Sequence, residues 1–275
     1  MKHIRAGILL LAALFGVASC RYGLDELFGR ASPVDERVMD TSVPAPSAPV
    51  VADPNNYVFI ATADSHFGAV ADPPAAAGFK ALVGSVHPGF IIVAGDLVDT
   101  GLPAEYARFA AWAVSLGVPV YTTPGNHDLY NDGWASYRSV LGRGSYSFAV
   151  GGRTFYFVDS GNGTVGQTQL DALRAAFAND ANPKVVVSHY PLYNGPDAEY
   201  YRLTDTAERA ALVDLYANGG VQLLLEGHKH VTRETDLGTM HEWLCSSLTG
   251  PAGHGSCVIV TVSGGQIASV VPTTY

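Results

Sequence analysis

A layered α/β/β/α sandwich, two mixed β-sheets flanked by helices, is the fold class that this sequence of 275 residues predicts. Three observations predict it. Short continuous apolar runs of the doubly buried kind alternate with amphipathic stretches at the spacing of βαβ units. Small polar clusters fall at the C-terminal ends of those runs, where α/β sheets place their binding crevices. Past the middle of the chain, alternating segments around Gly151-Gly152 read as a hairpin that begins a second sheet. With 48% hydrophobic residues the chain can bury a large core.

The N-terminus is read separately from the fold. Lys2 and Arg5 precede an apolar run from Ile8 to Val17 that is too short to span a bilayer and ends in small residues, the pattern of a secretory signal peptide over residues 1–19. The run closes on Val17-Ala-Ser-Cys20, which resembles the lipobox of bacterial lipoproteins, and the resemblance implies a lipid-modified Cys20 as the first mature residue. The expected protein is extracytoplasmic, periplasmic or at the cell surface, and bound to a bacterial membrane through that anchor. Residues 20–56 shift to Pro, Ala, Ser and Asp with no sustained period and read as a tether, leaving one domain over residues 57–275. Lys and Arg number 16 against 25 Asp and Glu, and loss of the leader with Lys2 and Arg5 makes the chain still more acidic. With no Lys/Arg cluster in view, nucleic acid is not an expected partner. Cys245 and Cys257 remain as an even pair in an oxidising compartment, with a disulfide and two buried thiols both open.

Order begins at the buried strand Tyr57-Val-Phe-Ile-Ala-Thr-Ala63, which ends in Asp64-Ser-His66. An Ala-rich helix from Pro74 to Val86 leads to the strand Phe90–Ala94, which delivers Gly95-Asp-Leu-Val-Asp99. Pro103 to Leu116 reads as an amphipathic helix opened by proline in its first turn. A third strand, Pro119 to Thr122, runs into Gly125-Asn-His-Asp128. After a loop and short helix over Leu129 to Gly142 come the hairpin strands Ser145–Val150 and Thr154–Val158. A helix from Gln167 to Asn179 precedes the strand Lys184–Val187, which ends on Ser188-His189. Thr204 to Ala217 is helical with Gly219-Gly220 as its stop, and Val221–Leu225 ends on Glu226-Gly-His-Lys-His230. Closing strands fall near Met240–Ser246, Cys257–Val262 and Gln266–Pro272.

These strand ends carry the oxygen and imidazole ligands that a pair of hard divalent ions needs, with a carboxylate able to bridge them. His228 and His230, two residues apart, would face one side of an extended segment and reach ions roughly 3.5–4 Å apart, with Lys229 turned away. Taken in order, Asp-X-His, Gly-Asp-X-X-Asp, Gly-Asn-His-Asp, a lone His after a strand and Gly-His-X-His resemble the calcineurin-like metallophosphoesterase family from Asp64 to His230. The resemblance implies the metallo-dependent phosphatase-like version of the sandwich and two divalent metal ions, with Mn, Fe, Zn and Co all open. It implies Asp64, His66, Asp96 and His230 around one ion and Asp96, Asn126, His189 and His228 around the other. It also implies His127 as the group that stabilises developing charge or protonates the leaving oxygen, Asp128 fixing its ring and tautomer, and Asp99 in a supporting place. The implied activity is hydrolysis of small phosphomonoesters or phosphodiesters by in-line attack of a metal-bound hydroxide. A nuclease or phospholipid headgroup hydrolase, and a non-catalytic surface lipoprotein using the fold as a scaffold, are the alternatives. The acidic composition disfavours a nuclease, and the intact ligand set disfavours a scaffold. Purple acid phosphatases of the wider superfamily carry a tyrosine ligand where this chain has His66, so no tyrosinate-iron colour is expected.

Other residues are weighed as candidates against plainer roles. His87 before Pro88 reads as structural, and His241 and His254 as surface or hydrogen-bonded, His254 being the nearer to a cleft position in its Gly-rich loop. Tyr190, Tyr193, Tyr200 and Tyr201 could touch a leaving group or simply pack, and Arg138, Arg143 and Arg202 could meet phosphate or solvent.

Overall fold

The computed structural model describes residues 32–193, 202–250 and 253–275. Cys20 and the leader lie outside the described residues, as do Tyr200 and Tyr201. No helix among the described residues is long and apolar enough to cross a membrane.

Two sheets form the centre. In the first, β1 (Tyr57–Thr62), β2 (Phe90–Ala94) and β3 (Val120–Thr123) run parallel, and the hairpin β10 (Ser256–Ser263) and β11 (Gln266–Thr274) extends it antiparallel beyond β1, in the order β11-β10-β1-β2-β3. The second comprises β4 (Tyr146–Val150), β5 (Arg153–Phe157), β6 (Lys184–Val187), β7 (Val221–Glu226), β8 (Arg233–Asp236) and β9 (His241–Leu244), in the order β4-β5-β6-β7-β9-β8 with β5, β6, β7 and β9 parallel. The edge strand β8, Arg233-Glu-Thr-Asp236, is absent from the sequence expectation. It pairs on one side only and buries little, so it carries none of the apolar signal by which strands are read.

Side chains that alternate along each inner strand explain the continuous apolar runs. Phe59 and Ala61 of β1, Phe90 and Ile92 of β2, Val185 and Val187 of β6, and Leu223 and Leu225 of β7 fill the space between the sheets. Ile60, Ile91 and Val93 face outward beneath helices α2 (Ala76–Val86), α3 (Pro103–Ser115) and α4 (Trp134–Leu141). Val186 and Leu224 face the other way, beneath α5 (Gln167–Ala178) and α6 (Thr206–Asn218). The central parallel strands of each sheet, such as β2, β5 and β6, are therefore buried on both faces. Phe90 anchors the central layer, stacked on Phe59 at 5.0 Å and edge-on to Phe155 at 5.4 Å, contacts worth about 0.5–1.5 kcal/mol each beyond area burial. Cys245 lies in this layer and Cys257 in the layer under the helices, both as free buried thiols, with burial pushing Cys257 up to about 12.

Residues 32–56, expected as a tether, lie against the domain instead. A short helix α1 (Val34–Met39) carries Arg37, only 3% exposed, into a pair with Asp159. Tyr121 donates its hydroxyl to the Ser47 carbonyl at 2.8 Å, Arg143 donates to the Val43 carbonyl at 2.9 Å, and Arg138 pairs with Asp40. Arg138 and Arg143, weighed above as phosphate contacts, thus hold this segment. Average composition registers the prolines of such a stretch but not one buried arginine, which is why the packing was not legible.

Candidate metal centre

All the clusters sit where parallel strands stop, and the two sheets stop at the same end. His189 after β6 donates its Nδ1–H to the Ala94 carbonyl at the end of β2 at 2.9 Å, joining one sheet to the other. The backbone there is unusual. Asp64 (φ 48), His66 (φ 47), Asp96 (φ 50), His228 (φ 69) and His230 (φ 53) are all left-handed. That conformation costs a residue with a Cβ roughly 1–2 kcal/mol, although Asp and His visit it more readily than most. It lets the chain turn sharply and aim neighbouring side chains into different places. The expected alternation of His228 and His230 along an extended segment is therefore corrected: two left-handed turns, not a pleat, send the imidazoles to separate partners.

Those partners define two groups. His230 Nε2 lies 3.1 Å from His66 Nε2 and 3.6 Å from Asp64 Oδ1. His228 Nδ1 lies 3.1 Å from His189 Nε2, which is 3.3 Å from both Asn126 Oδ1 and Asp96 Oδ2. Asp96 Oδ2 is also 3.8 Å from His66 Nε2, so one carboxylate oxygen stands between the groups. Every residue expected as a metal ligand is brought to one of them, as Asp64, His66 and His230 or as Asp96, His189 and His228 with Asn126 beside them.

Several supports were not read from the sequence. Tyr130, four residues after Asn126, accepts a hydrogen bond from its Nδ2 at 2.9 Å and so turns the amide oxygen towards His189. Asp159 and Ser160 follow β5 at the same position as the other clusters, a signal that was available, and Ser160 Oγ accepts from the backbone N–H groups of His189 and Tyr190 at 3.0 and 2.9 Å. The Tyr190 ring lies 4.0 Å from that of His228. Gly125 is required by close approach, since a Cβ there would meet Asp96 Oδ1 at 2.2 Å.

Asp128 has a different role from the one expected. Its carboxylate accepts from Leu97 N and Gly125 N at 3.0 and 2.8 Å rather than from the His127 ring; fully buried, it ties the loop after β2 to the turn after β3. His127 is held instead by the Asp99 carbonyl, 2.6 Å from Nδ1. A carbonyl only accepts, so Nδ1 carries the proton and Nε2 is left for chemistry. Asp99 supports His66 as well, with Oδ1 3.4 Å from His66 Nδ1. His87 caps α2 in a left-handed turn, His241 lies 2.9 Å from Glu234, and His254 is exposed.

The electrostatics fit divalent cations. Burial raises Asp64 to about 7 with Asp96 adding to it, whereas His189, His127 and His66 overcome burial to hold Asp96 well below the usual carboxylate range. Burial opposes the charge on His189, yet Asp96 and Asp64 raise it to about 9. Burial and the charge of His189 press His228 down to about 3, and burial with His66 takes His230 to about 4. Asp64 Oδ2 is buried with no hydrogen-bond partner among the described residues. A buried carboxylate oxygen without a partner, in a cluster that also offers imidazole nitrogens and an amide oxygen, belongs to a donor set for a hard or borderline divalent ion. Because His189 is charged below about 9 and must be neutral to ligate, metal uptake near neutral pH should release roughly one proton per chain, and affinity should weaken as pH falls. Calorimetric titration in buffers of different ionisation enthalpy measures this; uptake with no proton release at pH 7.5 would contradict it.

Residues 57–232 match the calcineurin-like phosphoesterase family. A probable cyclic nucleotide phosphodiesterase of Synechococcus sp. is 28% identical over 174 residues, covering 59% of this chain and 66% of the relative. A 3',5'-cyclic-nucleotide phosphodiesterase of Nostoc sp. is 30% identical over 150 residues, covering 51% and 55%. The chain thus spans between about half and two thirds of the length of these relatives. Among solved structures, a dimetal phosphatase from Danio rerio is similar with a TM-score of 0.62 at 14% identity, over 81% of this chain and 100% of that one. GAP50, the anchor in the inner membrane complex of Plasmodium, gives 0.57 at 15% identity, over 78% and 88%. At such identities these structures speak to the fold, which is the same sandwich. With the order of ligand-bearing strand ends and the match over residues 57–232 in agreement, the chain belongs to the calcineurin-like phosphoesterase family.

Proposed function

We propose that the chain is a phosphoesterase dependent on two divalent metal ions, acting on small phosphodiesters of the cyclic nucleotide class, with phosphomonoesters as the second substrate type. The observation that carries the binuclear reading is Asp96 Oδ2, 3.8 Å from His66 Nε2 in one group and 3.3 Å from His189 Nε2 in the other. The names of the Synechococcus and Nostoc relatives support the diester preference. When bound, the ions supply Lewis acidity towards phosphoryl oxygens and lower the pKa of water towards ~7.

The chain's own groups do the rest. Asp64, His66 and His230 would hold one ion and Asn126, His189 and His228 the other, with Asp96 shared. Tyr130 keeps the Asn126 amide oxygen forward, and Asp99 steadies both His66 and His127. His127, its ring 4.7 Å from that of His66, keeps Nδ1–H on the Asp99 carbonyl, so Nε2 is the atom placed to hand a proton to the leaving oxygen.

Two substrates of different leaving-group acidity test these roles in the metal-loaded full chain. Asn126→Ala should abolish metal-dependent turnover of both a nitrophenyl diester and a 3',5'-cyclic nucleotide. His127→Ala should cost about 10²–10⁴-fold in kcat on the cyclic nucleotide and much less on the nitrophenyl ester, whose leaving group needs no proton. Absence of turnover by the wild-type chain with any divalent metal would overturn the enzyme reading, and equal losses on both substrates would remove the acid role of His127.

The chain is further proposed to be anchored outside the cytoplasm through lipidated Cys20, on the strength of Val17-Ala-Ser-Cys20 after the apolar run. Detergent phase partitioning measures it: the wild-type protein should enter the detergent phase and Cys20→Ala should stay in the aqueous phase, whereas identical partitioning would refute the anchor.

A further inference from the structure

We propose that Arg37, on the N-terminal segment, is a positioning residue for the metal ligand His189, acting through the loop that follows β5. The proposal rests on the metal-centre reading given above. The guanidinium of Arg37 donates from Nε to Asp159 Oδ2 and from Nη2 to Asp159 Oδ1, both at 2.7 Å, a two-pronged pair with Arg37 and Asp159 side chains 0% and 1% exposed. Its Nη1 donates to Asn162 Oδ1 at 2.7 Å and to the Ser32 carbonyl. One side chain thereby grips both ends of the turn Asp159-Ser-Gly-Asn162.

Inside that turn the contacts run to the site. Asp159 Oδ1 also accepts from Gly161 N at 3.0 Å, closing the loop on itself. Ser160, wholly buried, has its Oγ accept from His189 N at 3.0 Å and from Tyr190 N at 2.9 Å, which fixes the backbone of the ligand and of the ring packed on His228. On its other side the turn presses against the Asn126 turn: a Cβ on Gly161 would meet the Gly125 carbonyl oxygen at 3.0 Å. The loop is thus wedged between two ligand-bearing strand ends, and the arginine holding it comes from outside the family match at residues 57–232.

Stability alone does not account for the pair. A buried ion pair stabilises little more than an apolar plug of the same volume would, because desolvation of both charges offsets their attraction. What the planar fork adds is direction, since it fixes Asp159 in position and angle. Groups that orient ligands in this way commonly change metal affinity about 10–100-fold when removed.

Cobalt(II) titration of the full chain, followed by the absorption bands of the bound ion, separates the two binding steps and does not depend on turnover. Arg37→Met and Ser160→Ala should each weaken one step about tenfold and leave the other unchanged. Arg37→Lys should restore little, since an ammonium keeps the charge without the fork. If both steps stay at wild-type strength in Arg37→Met while its Tm falls, the pair is merely structural and the proposal is overturned; so it is if both steps weaken equally. Should Arg37→Met fail to fold, Ser160→Ala decides alone, an unchanged titration overturning the proposal. A wild-type chain that binds no cobalt overturns the metal-centre reading as well, so the two failures are distinct.

Discussion

The carboxylate of Asp96 stands where the two halves of the sandwich meet. Its Oδ2 lies between the imidazoles of His66 and His189, its Oδ1 accepts the backbone N–H of His127 at 2.9 Å, and its carbonyl accepts that of His66 at 3.0 Å. Three strand ends, from β1, β3 and β6, are thus registered on one residue at the end of β2. The rest of the architecture serves this placement. Parallel strands bring their C-terminal ends to one edge, layers of apolar side chains fix the spacing of the sheets, and Gly125 lets the backbone after β3 close to contact distance.

Such convergence is costly to the free chain. Five of the converging residues take left-handed backbone, burial and the charge of Asp96 raise the proton affinity of Asp64, and one oxygen of Asp64 has no hydrogen-bond partner among the described residues. Each feature disfavours the folded state on its own, and strain of this kind gathers where function demands it. Cations bound by the folded state alone would stabilise it in proportion to their affinity, so metal binding and folding are linked. The surrounding packing supplies the rigidity: Asp128 ties two loops together through backbone N–H groups, and Asp99 and Tyr130 hold ligands or their neighbours from behind.

What was legible in the sequence follows from this division. Strands buried on both faces announce themselves by composition, which is why Phe90–Ala94 and Lys184–Val187 have the bounds expected of them. The candidate ligands could be picked out because metal chemistry restricts residue types, and the strand ends supplied the place where the structure brings them together. Orientation was not. The reach of His228 and His230 depends on left-handed φ values that no pattern of hydropathy encodes. Asp128 beside His127 suggested a partner, but adjacent side chains diverge, and the carbonyl of Asp99 that holds His127 is a backbone group common to every residue. Edge strand β8 and the docked segment around Arg37 escaped for the opposite reason, since polar stretches look like loops until a single contact gives them a place.

The central claim is that Asp96 joins two cation sites. Anomalous diffraction from crystals of the protein loaded with manganese or zinc, recorded at the absorption edge of the metal, tests it most directly. The account predicts two peaks, one among Asp64, His66 and His230 and one among Asn126, His189 and His228, with the Asp96 carboxylate between them. A single peak at saturating metal, or peaks away from Asp96, would contradict it.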